Sequence, residues 1–503
     1  MPAPARAATL AIARLPRGAA TVAVLLLGVL LLLMVVRLPW SGDLGMHGAV
    51  LERLRADLLH PGNPLVDEDT PSPYYSPWTV ALALAGSVTG WSTFTVLRLA
   101  ALTGLALLVT GVGGFVRTFT AKRAAVALAW LCVLLLYGVR LFAWSGVPGL
   151  TSLSLTLAYP STFALGLSFH LWALLRRAVA DEWRAAAFLW LGLLLAMVLL
   201  CHQFTGAVAV LGVTAVLLGA RPWPSREVWL RVGAAGLVAL TVPLVWPYYS
   251  FFSLLGADGL DDIHRPLYAH VVGRFCLVAL GVVALGLRWR RDRRDPLALF
   301  FALGLAGYAI GGLSGHQAWG RVLPAVLLPA QIALAIETAE ATAGRVRRAL
   351  TTVTAAALLV GAWTQAGVLS YVLRADAIPP GLREAPTVGL WPHFAWAAAK
   401  VPKRATVMTD DYYALRTLPA YGPYTVAPAY PDLFLPDEKR RRDATRRYFA
   451  PATPRAERLG ILKEYGVRWV LRKDGGPGLP QGDPALRTAA RGPGGFTLLE
   501  VVG

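Results

Sequence analysis

The sequence predicts an α-helical polytopic membrane protein with about eleven transmembrane helices and a small C-terminal α/β domain outside the membrane. Three observations lead there. Hydrophobic residues make up 56% of the 503 residues and charged residues only 15%, against about 25% charged in an ordinary soluble domain. Ala19 to Val36 runs eighteen residues without a charge, enough to cross a bilayer. The stretch from Arg374 onward changes to mixed charge, with strand and helix patterns in alternation. With a mean hydropathy of +0.54, the chain is neither a soluble enzyme nor a disordered polymer.

The first element is the span that begins at Ala19. Arg6, Arg14 and Arg17 precede it, as in a signal peptide, but the apolar run is too long and ends at Arg37-Leu38-Pro39-Trp40 without a small-residue cleavage site. It reads as a retained helix entering from the cytoplasm. The eleven spans fall at roughly 19–38, 92–116, 123–140, 153–175, 185–201, 205–220, 232–249, 270–287, 296–314, 322–338 and 349–372. Basic clusters alternate between them: Arg117, Lys122 and Arg123; Arg176 and Arg177; Arg221, Arg226 and Arg231; Arg288 to Arg294; Arg345 to Arg348. By the positive-inside rule these lie in the cytoplasm with the N-terminus. An odd number of spans then leaves the C-terminus outside.

The formal charge of +19 would suggest nucleic acid in a soluble protein. Here it is spent on topology signals, and a nucleic-acid partner is not expected, because a basic face needs a soluble surface to display it. Cys132, Cys201 and Cys276 all fall in apolar stretches, with no metal-ligand spacing and no disulfide framework. Arginine outnumbers lysine 42 to 6, a bias typical of GC-rich bacterial genomes.

The domains expected are 1–373, transmembrane and including the external loop 39–92, and 374–503, extracytoplasmic and soluble. Within the loop, Leu44, Leu51, Leu54 and Leu58 form one helical stripe, with Glu52, Arg53 and Asp57 elsewhere. That pattern predicts a short helix lying in the interface plane. The prolines between His60 and Pro77 forbid a regular helix there. Trp78 to Gly90 is apolar but thirteen residues long, so it reads as an interfacial or re-entrant helix, or as the start of a longer tilted span. In the tail, Ala405 to Thr409, Val467 to Leu471 and Phe496 to Val502 read as strands, and Asp437 to Phe449 and Pro454 to Tyr465 as helices, the latter ending at Gly466.

Asp43 and His47, just past the first span, are the sharpest candidate pair. A carboxylate there can take a proton from a hydroxyl nucleophile, and an imidazole four residues on shares its helical face. The competing role for Asp43 is to cap the following helix. Asp67, Glu68 and Asp69 carry the oxygen ligands a divalent cation wants, with Asp67 and Asp69 as its candidate ligands; the alternative is a solvated loop. Tyr74 and Tyr75 either stack on a sugar or anchor the loop at headgroup level. Gly315-His316-Gln317-Ala318-Trp319-Gly320-Arg321 is a short turn between two spans. Arg321 at the mouth of a helix can pair with a lipid-linked phosphate or snorkel to headgroups. His202-Gln203-Phe204, a second polar break, can line the same cavity. His264, Arg265, Asp258, Asp261 and Asp262 carry a weaker signal. There is no Walker loop, no glycine-rich dinucleotide fingerprint and no His-Glu-x-x-His zinc motif.

These motifs together resemble the GT-C superfamily of integral membrane glycosyltransferases. The resemblance rests on Gly42-Asp43-x-x-x-His47, on the long loop with Asn63-Pro64 and Tyr75-Ser-Pro77, and on Gln317-Ala-Trp-Gly-Arg321. The tail, with Pro451-Ala-Thr-Pro454 and Leu462 to Val470, is similar to that of actinobacterial members. The chain departs from the pattern in its single Asp43, where many relatives carry paired acids. The resemblance implies transfer of a hexose or pentose from a polyprenyl-phosphate donor to a cell-wall, lipid-linked glycan or protein acceptor on the external face of the cell membrane. It makes Asp43 the general base or acceptor-orienting carboxylate and Arg321 the ligand of the donor phosphate, with His47 and His316 as secondary polar contacts. It fixes no cofactor and leaves a divalent cation open, and membrane lipids are the surrounding partners. The rival readings are a transporter or lipid flippase and a non-catalytic scaffold for envelope assembly. Few ionisable residues lie deep in the spans, where an ion relay would need them, and no paired broken helices appear in matching halves.

Overall fold

The structure, a computed structural model, describes residues 18–256, 259, 261–342 and 344–502. Arg6, Arg14, Arg17 and Asp258 lie outside them. The principal helices are α1 Ala19–Arg37, α2 Leu44–Ala56, α3 Pro77–Thr89, α4 Thr93–Val116, α5 Arg123–Leu135, α6 Leu150–Thr156, α7 Pro160–Ala180, α8 Ala185–Cys201, α9 Gln203–Leu218, α10 Arg226–Leu244, α11 Ala279–Arg291, α12 Pro296–Ser314, α13 Leu323–Glu340 and α14 Arg345–Thr364.

Each of the eleven apolar segments is therefore helical. Seven helices among the described residues are long and apolar enough to cross a membrane: α1, α4, α7, α10, Val271–Arg291, α12 and Gln317–Glu340. The chain is a multi-pass membrane protein. Helices α5, α8 and α9 are apolar but shorter, and α14 opens with three arginines among its first four residues. The expected span 153–175 is instead two helices, α6 and α7, parted at Pro160. A proline has no N–H to continue α6 and is well placed as the first residue of α7.

By packing, the described residues form two compact units, each discontinuous in sequence. The first gathers residues up to Pro39, then Arg98–Val245 and Leu260–Gly389. Its helices approach closely at small residues. A Cβ on Gly192 would stand 2.3 Å from the Ala235 carbonyl oxygen, and one on Gly281 2.3 Å from that of Ala330. Close backbone approach of this kind is how helices associate without a hydrophobic driving force between them.

The second unit combines Trp40–Leu97, Trp246–Gly259 and Leu390–Gly503, so the first loop folds with the tail. Its sheet has β1 Thr406–Met408, β2 Tyr424–Thr425, β3 Val467–Lys473, β4 Leu486–Gly492 and β5 Phe496–Val501, in the order β2-β1-β3-β5-β4. β1 runs parallel to β2 and β3, and β5 runs antiparallel to β3 and β4. Alternation along β3 and β5 feeds both faces. Val470 and Leu499 join Tyr448, Phe449, Ile461 and Leu462 on one side. Trp469, Leu471 and Leu498 join Phe394, Ala414 and Leu418 on the other. The three expected strands and two expected helices are present. β2 and β4 are additional; β4 reads LRTAARG and lies largely exposed at an edge, without the apolar alternation that marks a strand.

Helix α2 corrects one expectation. It is not an amphipathic helix at an interface, because Arg53 on its supposed polar face is 2% exposed. The guanidinium donates to the carbonyl oxygens of Gly422 at 2.7 Å and Pro423 at 2.8 Å, over the Tyr424 ring. On another face, Gly45 abuts the chain so closely that a Cβ would stand 1.8 Å from the Arg416 carbonyl oxygen.

Candidate functional site

Within the second unit, Gly42 turns the chain with φ +54° and Asp43 begins α2. The Asp43 side chain makes no capping hydrogen bond; only its carbonyl takes part, accepting from the His47 N–H at 3.0 Å. Its carboxylate is half-buried and near enough to favour the charged form of His47. Burial outweighs that attraction. His47 is 5% exposed, and desolvation pulls its pKa down to about 4 despite Asp43. His47 is thus a neutral imidazole at neutral pH, able to hold a hydrogen bond but not to supply a cation. Its ring meets Tyr74 edge-on at 6.2 Å.

This burial sets a pH dependence. With a native value near 4 and an unfolded value near 6.5, the unfolded state binds the extra proton between them. Stability contributed by neutral His47 is full above about pH 6.5 and falls as pH drops toward 4. The expected loss by pH 5 is about 2 kcal/mol, at about 1.4 kcal/mol per unit. Thermal unfolding of wild type and His47→Gln at pH 7.5 and 5 checks it. An equal acid sensitivity in both proteins would sink the assignment.

In the loop, Tyr75, Asn63 and Glu68 serve the fold. Tyr75 is buried rather than open to a sugar: its hydroxyl donates to the Gly62 carbonyl at 2.7 Å, and its ring packs near Tyr248 at 5.7 Å. Tyr74 remains partly exposed. Asn63 accepts from the N–H groups of Leu65 and Val66 and donates to Asp432 at 2.8 Å, which accounts for Asn63-Pro64 as a loop organiser. Glu68 pairs with Arg441, while Asp67 and Asp69 on either side of it are exposed. Among the described residues no three His, Cys, Asp or Glu side chains gather to hold a metal.

Within the first unit, Arg321 lies in the 3₁₀ turn Gln317–Val322 that leads into α13. Gly320 lets this turn press on Tyr268, where a Cβ would meet the ring at 2.9 Å. The Ala318 N–H donates to Asp261 Oδ1 at 2.9 Å. The Arg321 guanidinium stands 3.1 Å from His202 Nε2 and 4.5 Å from the centre of the Phe204 ring. His202 occupies the one-residue break between α8 and α9, with extended backbone. The other ring nitrogen of His202, Nδ1, caps α9: it accepts from the Thr205 N–H at 3.2 Å and lies 2.8 Å from Thr205 Oγ1. The contact of Arg321 with His202 couples the two polar breaks that the sequence suggested. His316 is exposed and stacks on Trp319 at 6.3 Å.

Sequence reasoning underrated His264, named Phe204 only within the polar break His202-Gln203-Phe204, and passed over Trp144 as a site residue. The His264 ring is 5.3 Å from Phe204 and 6.0 Å from Trp144, which lies 6.0 Å from the Arg321 guanidinium. An aromatic wall around a cation carries no sequence signal in a chain with 17 tryptophans.

No family model and no curated protein sequence matches the chain. Among solved structures it is similar to ArnT from Cupriavidus metallidurans in the apo state, at 16% identity over 96% of this chain and 98% of that one, with a TM-score of 0.57. It is similar to the same protein bound to undecaprenyl phosphate, at 16% identity over 96% and 99%, with a TM-score of 0.55. It is also similar to the arabinofuranosyltransferase AftD from Mycobacteria, at 19% identity over 97% of this chain but 40% of that one, with a TM-score of 0.60. At these identities the likeness is one of fold, shared with ArnT and AftD.

Proposed function

We propose that this protein is a membrane glycosyltransferase that moves a sugar from a polyprenyl-phosphate donor to a cell-envelope acceptor on the external face. The observation that carries this reading is the guanidinium of Arg321 beside His202 in a chain with the fold of a protein solved with undecaprenyl phosphate bound. The planar fork of an arginine suits two phosphate oxygens. In the reaction, an acceptor hydroxyl forms a bond to the anomeric carbon as the bond from that carbon to the donor phosphate oxygen breaks. The hydroxyl proton goes to the Asp43 carboxylate, and the departing phosphate takes the electron pair. Arg321 stabilises the charge that develops there. Neutral His47 orients a polar group beside Asp43. The arginine clusters support a cytoplasmic N-terminus and an external tail.

Incubating the purified full chain with radiolabelled polyprenyl-phosphate pentoses and hexoses and membrane acceptors tests this. Labelled acceptor from one sugar class is expected. Donor moved between leaflets without transfer would favour a flippase, and neither transfer nor movement a scaffold. A reporter fused to the tail and active only in the cytoplasm would overturn the orientation.

A further inference from the structure

A cavity of about 320 Å³ lies far from Arg321 within the first unit. Helix α9 begins beside His202, and Gly219, just past its other end, lines this cavity. A sixteen-residue helix separates the two by about 24 Å. The wall is built where α7, α9 and α11 end and α12 begins, and it carries Arg176, Arg221, Arg288 and Arg291 against Asp292 and Asp295.

Three of these arginines have acidic partners. Arg288 pairs with Asp295 at 2.7 Å and with Glu337 at 3.4 Å, Arg291 pairs with Glu337, and Arg221 pairs with Asp292 at 2.9 Å. Asp295 is also committed to capping α12, accepting from the N–H groups of Leu297 and Ala298. Arg176 has no carboxylate within ion-pairing distance among the described residues. Its guanidinium lies 3.9 Å from the centre of the Phe119 ring, and its buried Nη1 has no hydrogen-bond partner among the described residues. The Arg288 guanidinium faces the same ring at 5.7 Å. Two cations sharing one ring repel, and a buried N–H without an acceptor is costly. An oxyanion in the cavity would answer both at once.

We propose that this cavity binds the phosphate of an anionic membrane lipid headgroup. Phosphate oxygens match the guanidinium fork. The position at the ends of membrane helices is the depth at which headgroups lie, and basic pockets between such helices are known to hold them. The apolar side of the wall, with Val179, Val216 and Pro296, suits the start of the lipid's hydrocarbon.

The test is titration of the purified full chain with phosphatidylglycerol, phosphatidylcholine or inorganic phosphate, read by native mass spectrometry. Phosphatidylglycerol should be retained, phosphatidylcholine weakly, and phosphate alone should not displace it at equal concentration. Arg176→Gln should weaken phosphatidylglycerol binding about ten- to hundredfold, with Arg176→Lys between it and wild type. Arg347→Gln removes a charge from another basic cluster and should change binding less than about twofold. If Arg176→Gln does not fold, Arg221→Gln on the more exposed wall should weaken binding in the same direction. Equal affinity for phosphatidylcholine, an equal loss in Arg347→Gln, or displacement by inorganic phosphate at equal concentration would each overturn the proposal.

Discussion

Replacing Asp43 with asparagine is expected to lower sugar transfer by about 10²–10⁴ while leaving the fold in place, the usual range for loss of a general base. The amide is nearly isosteric but cannot take the hydroxyl proton. The Asp43 side chain makes no capping hydrogen bond, so α2 loses little when the charge is removed. The loss should appear in kcat with KM nearly unchanged, because the proton moves only as the acceptor attacks. Unchanged thermal unfolding with a near-normal kcat would reduce Asp43 to a residue that merely begins a helix. A large fall in melting temperature would instead assign it a structural role.

For Arg321, donor affinity is expected to fall in the order wild type, Arg321→Lys, Arg321→Ala. Lysine keeps the charge but loses the fork and the flat face that lies over Phe204 at 4.5 Å. Alanine loses everything. Removing a hydrogen bond to a charged group costs about 1.5–3 kcal/mol, or roughly one to two decades at about 1.4 kcal/mol per decade. A companion substitution, His202→Ala, leaves the guanidinium present but removes its contact with the His202 ring. It should therefore weaken donor binding less than Arg321→Ala does. Direct binding of a polyprenyl-phosphate sugar to each variant, with membrane insertion checked in parallel, reads the series. A lysine variant equal to wild type would return Arg321 to an ordinary interfacial cation, and undiminished affinity in the alanine variant would end the hypothesis.

What the residues announced in advance were the features that depend on near neighbours in the chain. Every apolar segment of sufficient length became a helix, and Val467 to Leu471 became a central strand because its apolar residues serve both faces of the sheet. Contacts across long separations were invisible. Arg53 looked like the polar side of an amphipathic helix because its acceptors, Gly422 and Pro423, lie 369 and 370 residues away. Glu68 looked like one of three available acids because Arg441 lies 373 residues away. Tyr75 looked like a sugar platform because nothing in Tyr74-Tyr75 says which ring turns inward. In the Arg321 site, the arginine was legible as a charge at a helix mouth, whereas its partner His202, 119 residues earlier, read only as a polar break.

The union of the first loop with the tail has a consequence for biosynthesis. Arg53 leaves the ribosome 369 residues before Gly422 does, and at about 5–20 residues per second the interval is roughly 20–70 s. For that time the loop holds a guanidinium meant for burial, a Leu65 carbonyl awaiting Thr425, and a Glu68 awaiting Arg441. The helices that follow it are made meanwhile, so the loop, among the first segments made, meets these partners only after residues 422 to 441 are made. A chain interrupted after residue 389 would keep every membrane helix and still leave the nascent loop, with Asp43 at its start, without the partners that shape it.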